Sequence, residues 1–285
     1  MKNKLLHIFN EIKPSGAETM LWSASDHLKE GGYSTHALST GAIKGSYCAT
    51  LEEVGIKTHH LQFKRYGFIT SPIFLYRFFV LLKNQKYDVI HIHPERGYFA
   101  YAILAYLSGC RRIVRTVHHI FPQDTSTLKG VILKPIKTIQ RRILKTWLDV
   151  KFTSNSISGK LNELNTYKSN NIYLPNWYDD KTFNSSIKNI QNELKRTLKI
   201  PDSHRILISI GGNWEYKNYD LILEAIEFFE NKITYLNIGP DPNDTLQMVI
   251  NEKQLKNAIR LGVVDDITPY LAIADCYIMP STLEG

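Results

Sequence analysis

Asp88-Val89-Ile90-His91-Ile92-His93-Pro94-Glu95-Arg96-Gly97 alternates apolar side chains with histidine and then breaks on proline and glycine. That pattern reads as a buried strand whose carboxyl end opens into a polar loop. Alternation puts His91 and His93 on one side of the strand, with His93 at its end. Two uses are open for the pair, a metal site or a core His91 with a cleft-facing His93. No third ligand stands at a metal-type spacing, which favours the second.

The same rhythm continues outward in both directions. Leu5–Phe9, Ser34–Leu38 and Lys57–Phe63 read as strands before it, and Ile113–Val117, Val150–Thr153 and Ile172–Leu174 after it. Helical stretches lie between most of them, the first running from Ala17 to Lys29 and ending at Gly31-Gly32. Strands alternating with helices imply βαβ units and a parallel sheet. Asn176 to Asp202 is polar and ends at Ile200-Pro201, and then the alternation restarts. Strands are expected at Arg205–Ile210, Ile233–Ile238, Ile259–Leu261 and Cys276–Met279, with helices at Tyr219–Phe229, Asp244–Glu252 and Ile267–Ile273. The expected plan is α/β, with an N-terminal Rossmann-like domain over 1–177, a linker over 178–200 and a second Rossmann-like domain over 201–285.

The totals agree with such a plan. A chain of 285 residues with 43% hydrophobic and 22% charged residues suits two globular domains. No apolar run is long enough for a membrane span, and residues 1–10 lack a signal-peptide design. Three scattered cysteines, Cys48, Cys110 and Cys276, read as core thiols in a reducing cytosol. The net charge of +8 admits nucleic acid, an anionic membrane or phosphorylated substrates as partners. Aromatic interleaving and nucleic-acid motifs are missing from the sequence, so nucleic acid is set aside.

In open α/β sheets ligands collect at the carboxyl ends of the strands. The first strand leads into Lys13-Pro14-Ser15-Gly16-Ala17-Glu18. By itself that is a tight turn opening a helix; its second reading is a phosphate site built from helix amides. G-x-G-x-x-G and Walker A loops are absent from the sequence, which argues against a dinucleotide dehydrogenase or a P-loop enzyme. His118-His119 follow the fifth strand, where histidine reaches a substrate hydroxyl or serves as a polar loop residue. Beyond the linker, Gly211-Gly212-Asn213-Trp214-Glu215-Tyr216-Lys217 joins a strand to a helix, with Lys217 placed to neutralise a diphosphate or to be solvated. Gly239-Pro240-Asp241-Pro242 and Pro280-Ser281-Thr282-Leu283-Glu284-Gly285 are further strand-end turns.

Between Lys129 and Lys145, six basic residues (Lys129, Lys134, Lys137, Arg141, Arg142, Lys145) are interleaved with Ile132, Ile136, Ile139 and Ile143 at helical spacing. The segment reads as an amphipathic helix started or kinked by Pro135. It either docks on anionic lipid or packs its apolar face in the core with a solvated basic face. Phe68 to Leu82 is a second apolar stretch, for the core or for an acceptor-side surface.

Taken in order, these strand ends resemble the GT-B glycosyltransferases of family 4. Ser15-Gly16-Ala17-Glu18 is similar to that family's Gly-Gly-Ala-Glu loop, Asp88–His93 to its Asp-Val-Ile-His-x-His strand, and Thr116-Val117-His118 to its Thr-x-His segment. Leu148-Asp149-Val150 through Ser154-Asn155-Ser156, and Pro175-Asn176 followed by Phe183, resemble later family stretches. So do Leu261-Gly262-Val263, Tyr270-Leu271, Ala274-Asp275, Pro280-Ser281 and Glu284-Gly285.

The resemblance implies two Rossmann-like domains facing a cleft, the second incomplete, and transfer of a sugar from a nucleoside-diphosphate donor to an acceptor hydroxyl with retention and without a metal. By carry-over, His118 contacts the reacting sugar. Gly16, Gly212, Lys217, Gly239, Val263 and Glu284 bind the UDP- or GDP-type donor, and His93, Glu95 and Arg96 lie on the acceptor side. The implied acceptor is lipid-linked or an oligosaccharide, in bacterial capsule or lipopolysaccharide assembly. The implied location is cytoplasmic, peripheral on the inner face of the plasma membrane. The sequence departs from the pattern at Ser15, at Gly212-Asn213 where the family has arginine, and at its E-x7-E signature, of which only Glu284 is present. The expectation is a chain truncated in its second domain, with a weakly active or non-catalytic nucleotide-sugar-binding fragment as the alternative to an enzyme.

Overall fold

The computed structural model describes residues 3–66, 69–118, 128–178 and 191–283. They separate into two compact units, Met1–Tyr178 and Asp179–Glu284. The first contains β1 (Asn3–Phe9), α1 (Gly16–Ser23), α2 (Ser25–Glu30), β2 (Tyr33–Ser39), α3 (Cys48–Glu53), β3 (Lys57–His60), β4 (Arg65–Tyr66) and β5 (Ile69–Thr70). It continues with α4 (Pro72–Gln85), β6 (Val89–Ile92), α5 (Tyr98–Ser108), β7 (Arg112–Val117), α6 (Leu128–Thr146), β8 (Lys151–Ser154), α7 (Ile157–Tyr167) and β9 (Ile172–Tyr173). The second contains α8 (Gln191–Thr197), β10 (Arg205–Ile210), α9 (Tyr219–Glu227), β11 (Ile233–Ile238), α10 (Thr245–Glu252), β12 (Ala258–Gly262), α11 (Thr268–Ile273) and β13 (Cys276–Tyr277).

The main sheet of the first unit has seven parallel strands in the order β3-β2-β1-β6-β7-β8-β9. Register fixes what each face carries. Leu6 pairs Ile90 and Ile8 pairs Ile92, giving an apolar face on which Phe74, Phe78 and Leu82 of α4 and Tyr101, Ala102 and Ala105 of α5 pack. His7 pairs His91, so the opposite face carries imidazole. Phe9, Leu21, Ala37 and Leu51 cover part of that second face as a separate core. Of the stretch Phe68 to Leu82, Phe74, Phe78 and Leu82 therefore belong to the core, Ile73 and Tyr76 are exposed, and Phe68 lies outside the described residues. Helix α4 starts where Ser71 Oγ accepts from Phe74 N–H, with Pro72 in the first turn.

In the second unit the order is β12-β11-β10-β13, again parallel. Both sheets reverse their winding, between β1 and β6 and between β10 and β13. The segment read as linker contains α8, whose Leu194, with Leu198 just past its end, packs with Ile200, Ile206 and Ile208. An i, i+4 leucine pair within a polar run suffices to bury one face of a short helix. Cys48 and Cys110 are buried as core thiols, whereas Cys276 is exposed on strand β13.

Helix α6 differs from the reading that packs its isoleucines in the core beneath a wholly solvated basic face. Pro135 lies inside the helix. Ile136 and Ile139 are 44% and 57% exposed, and Trp147 is 77% exposed, while Arg141 is buried at 2%. The reason is local. Arg141 forks onto Glu163 of α7 through Nε at 2.7 Å and a terminal nitrogen at 2.9 Å, and its guanidinium lies 3.8 Å from the Tyr167 ring centroid. One basic residue of the run is thus structural, and Lys129 and Ile132 lie outside the residues whose side chains are described. Removing one partner of a buried ion pair strands the other charge. Arg141→Ala should destabilise the first unit by about 3–5 kcal/mol in urea denaturation, and the exposed neighbour Arg142→Ala by no more than about 0.5 kcal/mol.

Candidate functional site

The carboxyl ends of the strands flanking each reversal carry the polar side chains expected of a ligand site. In the first unit the centre is a histidine cluster. His93 Nε2 lies 3.0 Å from His7 Nδ1, and His93 Nδ1 lies 2.8 Å from His118 Nε2. The His93 ring stacks on Phe9 at 4.5 Å. His91 sits one step behind, its Nε2 2.7 Å from Thr116 Oγ1, which in turn meets Thr153 Oγ1 at 2.7 Å. Every one of these groups lies on the sheet face opposite Leu6, Ile8 and Ile92, as the registers of β1, β6, β7 and β8 require.

His7, His91 and His93 each offer a nitrogen within 4.8 Å of the other two. The metal pair of the sequence reading thus acquires a third imidazole from β1, which spacing alone does not reveal. These nitrogens are close enough for one metal ion, yet the His7–His93, His93–His118 and His91–Thr116 contacts already satisfy most of them by hydrogen bonding.

Loop 94–97 is tied down by charge. Glu95 meets the buried Arg115 guanidinium, Lys137 Nζ at 3.6 Å and Arg141 at 3.9 Å. Arg115 also donates to Pro94 O at 2.9 Å and lies over the Tyr98 ring at 4.2 Å. Glu95 therefore anchors the loop after β6, and Arg96 beside it is exposed. Gly16 opens α1 behind Ser15, whose hydroxyl donates to Glu18 instead of capping the helix. The first-turn amides consequently lack a side-chain cap. A Cβ on Gly16 would meet nothing within 4 Å, so packing among the described residues leaves that position open. Glu18 is buried, and desolvation raises its pKa.

In the second unit Gly211 and Gly239 follow β10 and β11 with φ of 150° and 145°. A Cβ on Gly239 would fall 2.1 Å from Gly211 O, so the two turns touch backbone to backbone. Lys217, ending a short 3-10 turn, places its Nζ 4.0 Å from where a Gly211 Cβ would stand and 3.9 Å from Met279 Sδ after β13. Trp214 lies over Gly212. Gly239 N–H donates to Gly262 O at 2.8 Å, which brings exposed Val263 beside the same turn. Glu284 lies outside the described residues, as does His119. Asn213, standing where the resemblance has arginine, donates to Thr245 Oγ1 at 2.9 Å. Asp241 accepts from Leu246 N–H at 2.9 Å and faces Arg260 at 3.7 Å. Desolvation raises the Asp241 pKa, but the Leu246, Asn213 and Thr245 hydrogen bonds and Arg260 outweigh it and hold the carboxyl below its ordinary range.

His93 and His118 are thus brought together in one unit, and Gly212, Lys217, Gly239 and Val263 in the other. Sequence reasoning passed over His7, Arg115 and Asp241. For His7 a signal exists: it alternates with Leu6 and Ile8 just as His91 does with Ile90 and Ile92. Arg115 falls between Ile113 and Val117 on the apolar side of its strand, and its partner Glu95 lies twenty residues away.

Two parallel βα units with polar strand ends at each winding reversal define the GT-B type of fold. Residues 14–167 match the model of Glycosyltransferase Family 4, and residues 204–285 that of Glycosyl transferases group 1. The chain belongs to Glycosyltransferase Family 4 and is a glycosyltransferase. It is 23% identical to the capsular polysaccharide biosynthesis glycosyltransferase CapH of Staphylococcus aureus, over 99% of this chain and 76% of that protein. It is 26% identical to the UDP-Gal:alpha-D-GlcNAc-diphosphoundecaprenol alpha-1,3-galactosyltransferase of Escherichia coli, over 75% of this chain and 56% of that one. Among solved structures, a Rickettsia africae glycosyltransferase aligns at a TM-score of 0.77 and 16% identity, covering 98% of this chain and 73% of its own. HepE of Anabaena, solved with UDP and glucose, aligns at 0.76 and 16% identity, covering 98% and 74%.

Desolvation lowers the pKa of His7 from 6.5 to about 3, and desolvation followed by mutual repulsion lowers His91 and His93 well below 6.5. Between those values and 6.5 the unfolded chain binds more protons than the folded one. Stability from the cluster is therefore complete above about pH 6.5 and falls as pH drops, by up to about 1.4 kcal/mol per pH unit per histidine. Urea denaturation at about pH 7.5 and about pH 5 should show this loss, and His7→Gln should shrink it by one histidine's share.

Proposed function

We propose that this chain transfers a sugar from a UDP- or GDP-type nucleoside-diphosphate donor to a hydroxyl of a lipid-linked or oligosaccharide acceptor, with retention, in assembly of a bacterial surface polysaccharide. The observation that carries it is the bed formed by Gly211, Gly239 and the Lys217 ammonium at the second unit's winding reversal. Two glycine turns in contact let a ligand approach backbone, and a lysine beside them supplies a point charge for a diphosphate. The transition state of glycosyl transfer builds negative charge on the departing phosphate, so the group that neutralises it speeds the step. In this reading Lys217 and backbone amides supply that neutralisation without a metal ion. His118 contacts the transferring sugar, Gly16 and the uncapped amides of α1 face the donor phosphates, and Arg96 is left for the acceptor. No residue is assigned as a nucleophile. The relatives' substrates support the substrate class: HepE was solved with UDP-glucose, and the Escherichia coli relative uses a UDP-sugar with a diphosphoundecaprenol-linked acceptor.

Calorimetric titration with UDP, GDP and the two nucleosides tests the donor bed. Lys217→Ala should weaken the preferred diphosphate at least about tenfold, the loss of one charge-assisted contact, and leave its nucleoside unchanged. Equal effects on diphosphate and nucleoside would refute the assignment.

The same reading puts the protein on an anionic membrane surface through α6, which exposes Ile136, Ile139 and Arg142 and is followed by the exposed Trp147. None of the described helices is long and apolar enough to cross a membrane. With Arg141 left in place, Lys134→Glu with Arg142→Glu should reduce co-sedimentation with phosphatidylglycerol vesicles at least about fivefold. Unchanged sedimentation would discard membrane docking.

A further inference from the structure

The loop over 211–217 is pinned by its backbone. Asn213 N–H donates to Pro240 O at 2.8 Å, Trp214 N–H to Gly212 O at 2.9 Å, and Lys217 N–H to Trp214 O at 2.7 Å. Trp214 thus rides on a fixed frame, yet its side chain is 48% exposed. The part of the indole nearest the turn is its nitrogen with the two carbons bonded to it. A Cβ on Gly212 would fall 2.6 Å from Nε1, 3.1 Å from Cε2 and 3.3 Å from Cδ1. Gly212 has no positive φ, so its missing side chain makes room for the indole and not for an unusual backbone.

The same spot borders the glycine turns. Gly212 N lies 3.1 Å from where a Gly239 Cβ would stand, next to Gly211 O at 2.1 Å. Among the described residues, neither Gly212 N–H nor the Trp214 indole N–H has a hydrogen-bond partner. Lys217 is the sole cation of the loop. A nucleoside diphosphate carries more negative charge than one ammonium neutralises, so its remaining phosphate oxygens call for uncharged N–H groups. An indole N–H only donates and an ionised phosphate oxygen only accepts, and such charge-assisted bonds are the strong ones.

We infer that Trp214 is a substrate-binding residue, whose indole Nε1–H donates to a phosphate oxygen of the nucleoside diphosphate beside the Lys217 ammonium. The inference names a further residue of the proposed diphosphate bed and rests on the glycosyl-transfer reading. Lys217 supplies charge, which salt screens, and Trp214 supplies a directed contact without charge. The indole also stands ready for the oxygen that gains charge as the sugar leaves.

The test reads the indole N–H directly, by proton–nitrogen NMR of the full chain labelled with 15N-tryptophan. The chain has four tryptophans, and the signal lost in Trp214→Phe identifies the one at 214. Saturating UDP or GDP should move that proton downfield, and uridine or guanosine should leave it in place. In calorimetric titration Trp214→Phe should weaken the bound diphosphate about tenfold and leave its nucleoside unchanged. That loss should persist in salt that diminishes the effect of Lys217→Ala. If Trp214→Phe does not fold, Trp214→Leu serves for both the assignment and the titration. An unmoved Trp214 signal in the diphosphate complex, or a variant that binds diphosphate as the native chain does, would overturn the inference. So would a Trp214→Ala loss shared equally by diphosphate and nucleoside, which assigns the ring to the base. The two readings fail differently. A native chain that binds diphosphate no tighter than nucleoside sinks the bed and the Trp214 contact together. Native diphosphate binding with an unmoved Trp214 signal sinks the contact alone.

Discussion

The structure of the first unit depends on the two-residue period of a parallel strand buried on both faces. β6 gives Ile90 and Ile92 to one side and His91 and, just past its end, His93 to the other. Because β1 pairs with it in register, Leu6 and Ile8 reinforce the apolar side and His7 joins the imidazole side. A slip of one residue between these strands would drive histidines into the packing of α4 and α5 and expose isoleucines to the polar face. Register is thus held by the apolar core, and the histidine cluster is its by-product on the reverse side.

A second constraint holds the loop that follows. Arg115 interrupts the apolar side of β7, between Ile113 and Val117, with a buried guanidinium, which its burial alone would make unfavourable. Glu95, the Pro94 carbonyl and the Tyr98 ring surround it, and Glu95 reaches on to Lys137 and Arg141, the latter paired with Glu163. This chain of alternating charges joins the loop after β6 to α6 and α7. It converts two residues that look like a binding loop and a basic surface into framework.

The fold was legible because strand and helix periods recur through nearly the whole chain, and glycine and proline mark where they break. The strand ends were legible as candidate site positions because a parallel sheet leaves them as the polar exits from a dry core. What stayed hidden was pairing. His7 becomes part of a cluster only when β1 is known to lie against β6, a relation separated by more than eighty residues. The inward turn of Arg141 was invisible because its partner Glu163 sits on another helix, and helical periodicity classes arginine with the solvated face. The helix α8 was missed because Leu194 and Leu198 are few among polar neighbours, and their burial depends on Ile200 and Ile206.

In the second unit the same logic leaves Gly211, Gly239 and Lys217 at the winding reversal. The account's central claim is that chemistry belongs to these carboxyl ends of the strands. A crystal structure of the chain soaked with the preferred nucleoside diphosphate measures this directly. The account predicts a diphosphate within hydrogen-bond reach of Lys217 Nζ and against the Gly211 turn. A diphosphate held at the opposite ends of the strands, or bound without touching Lys217 or either glycine turn, would contradict it.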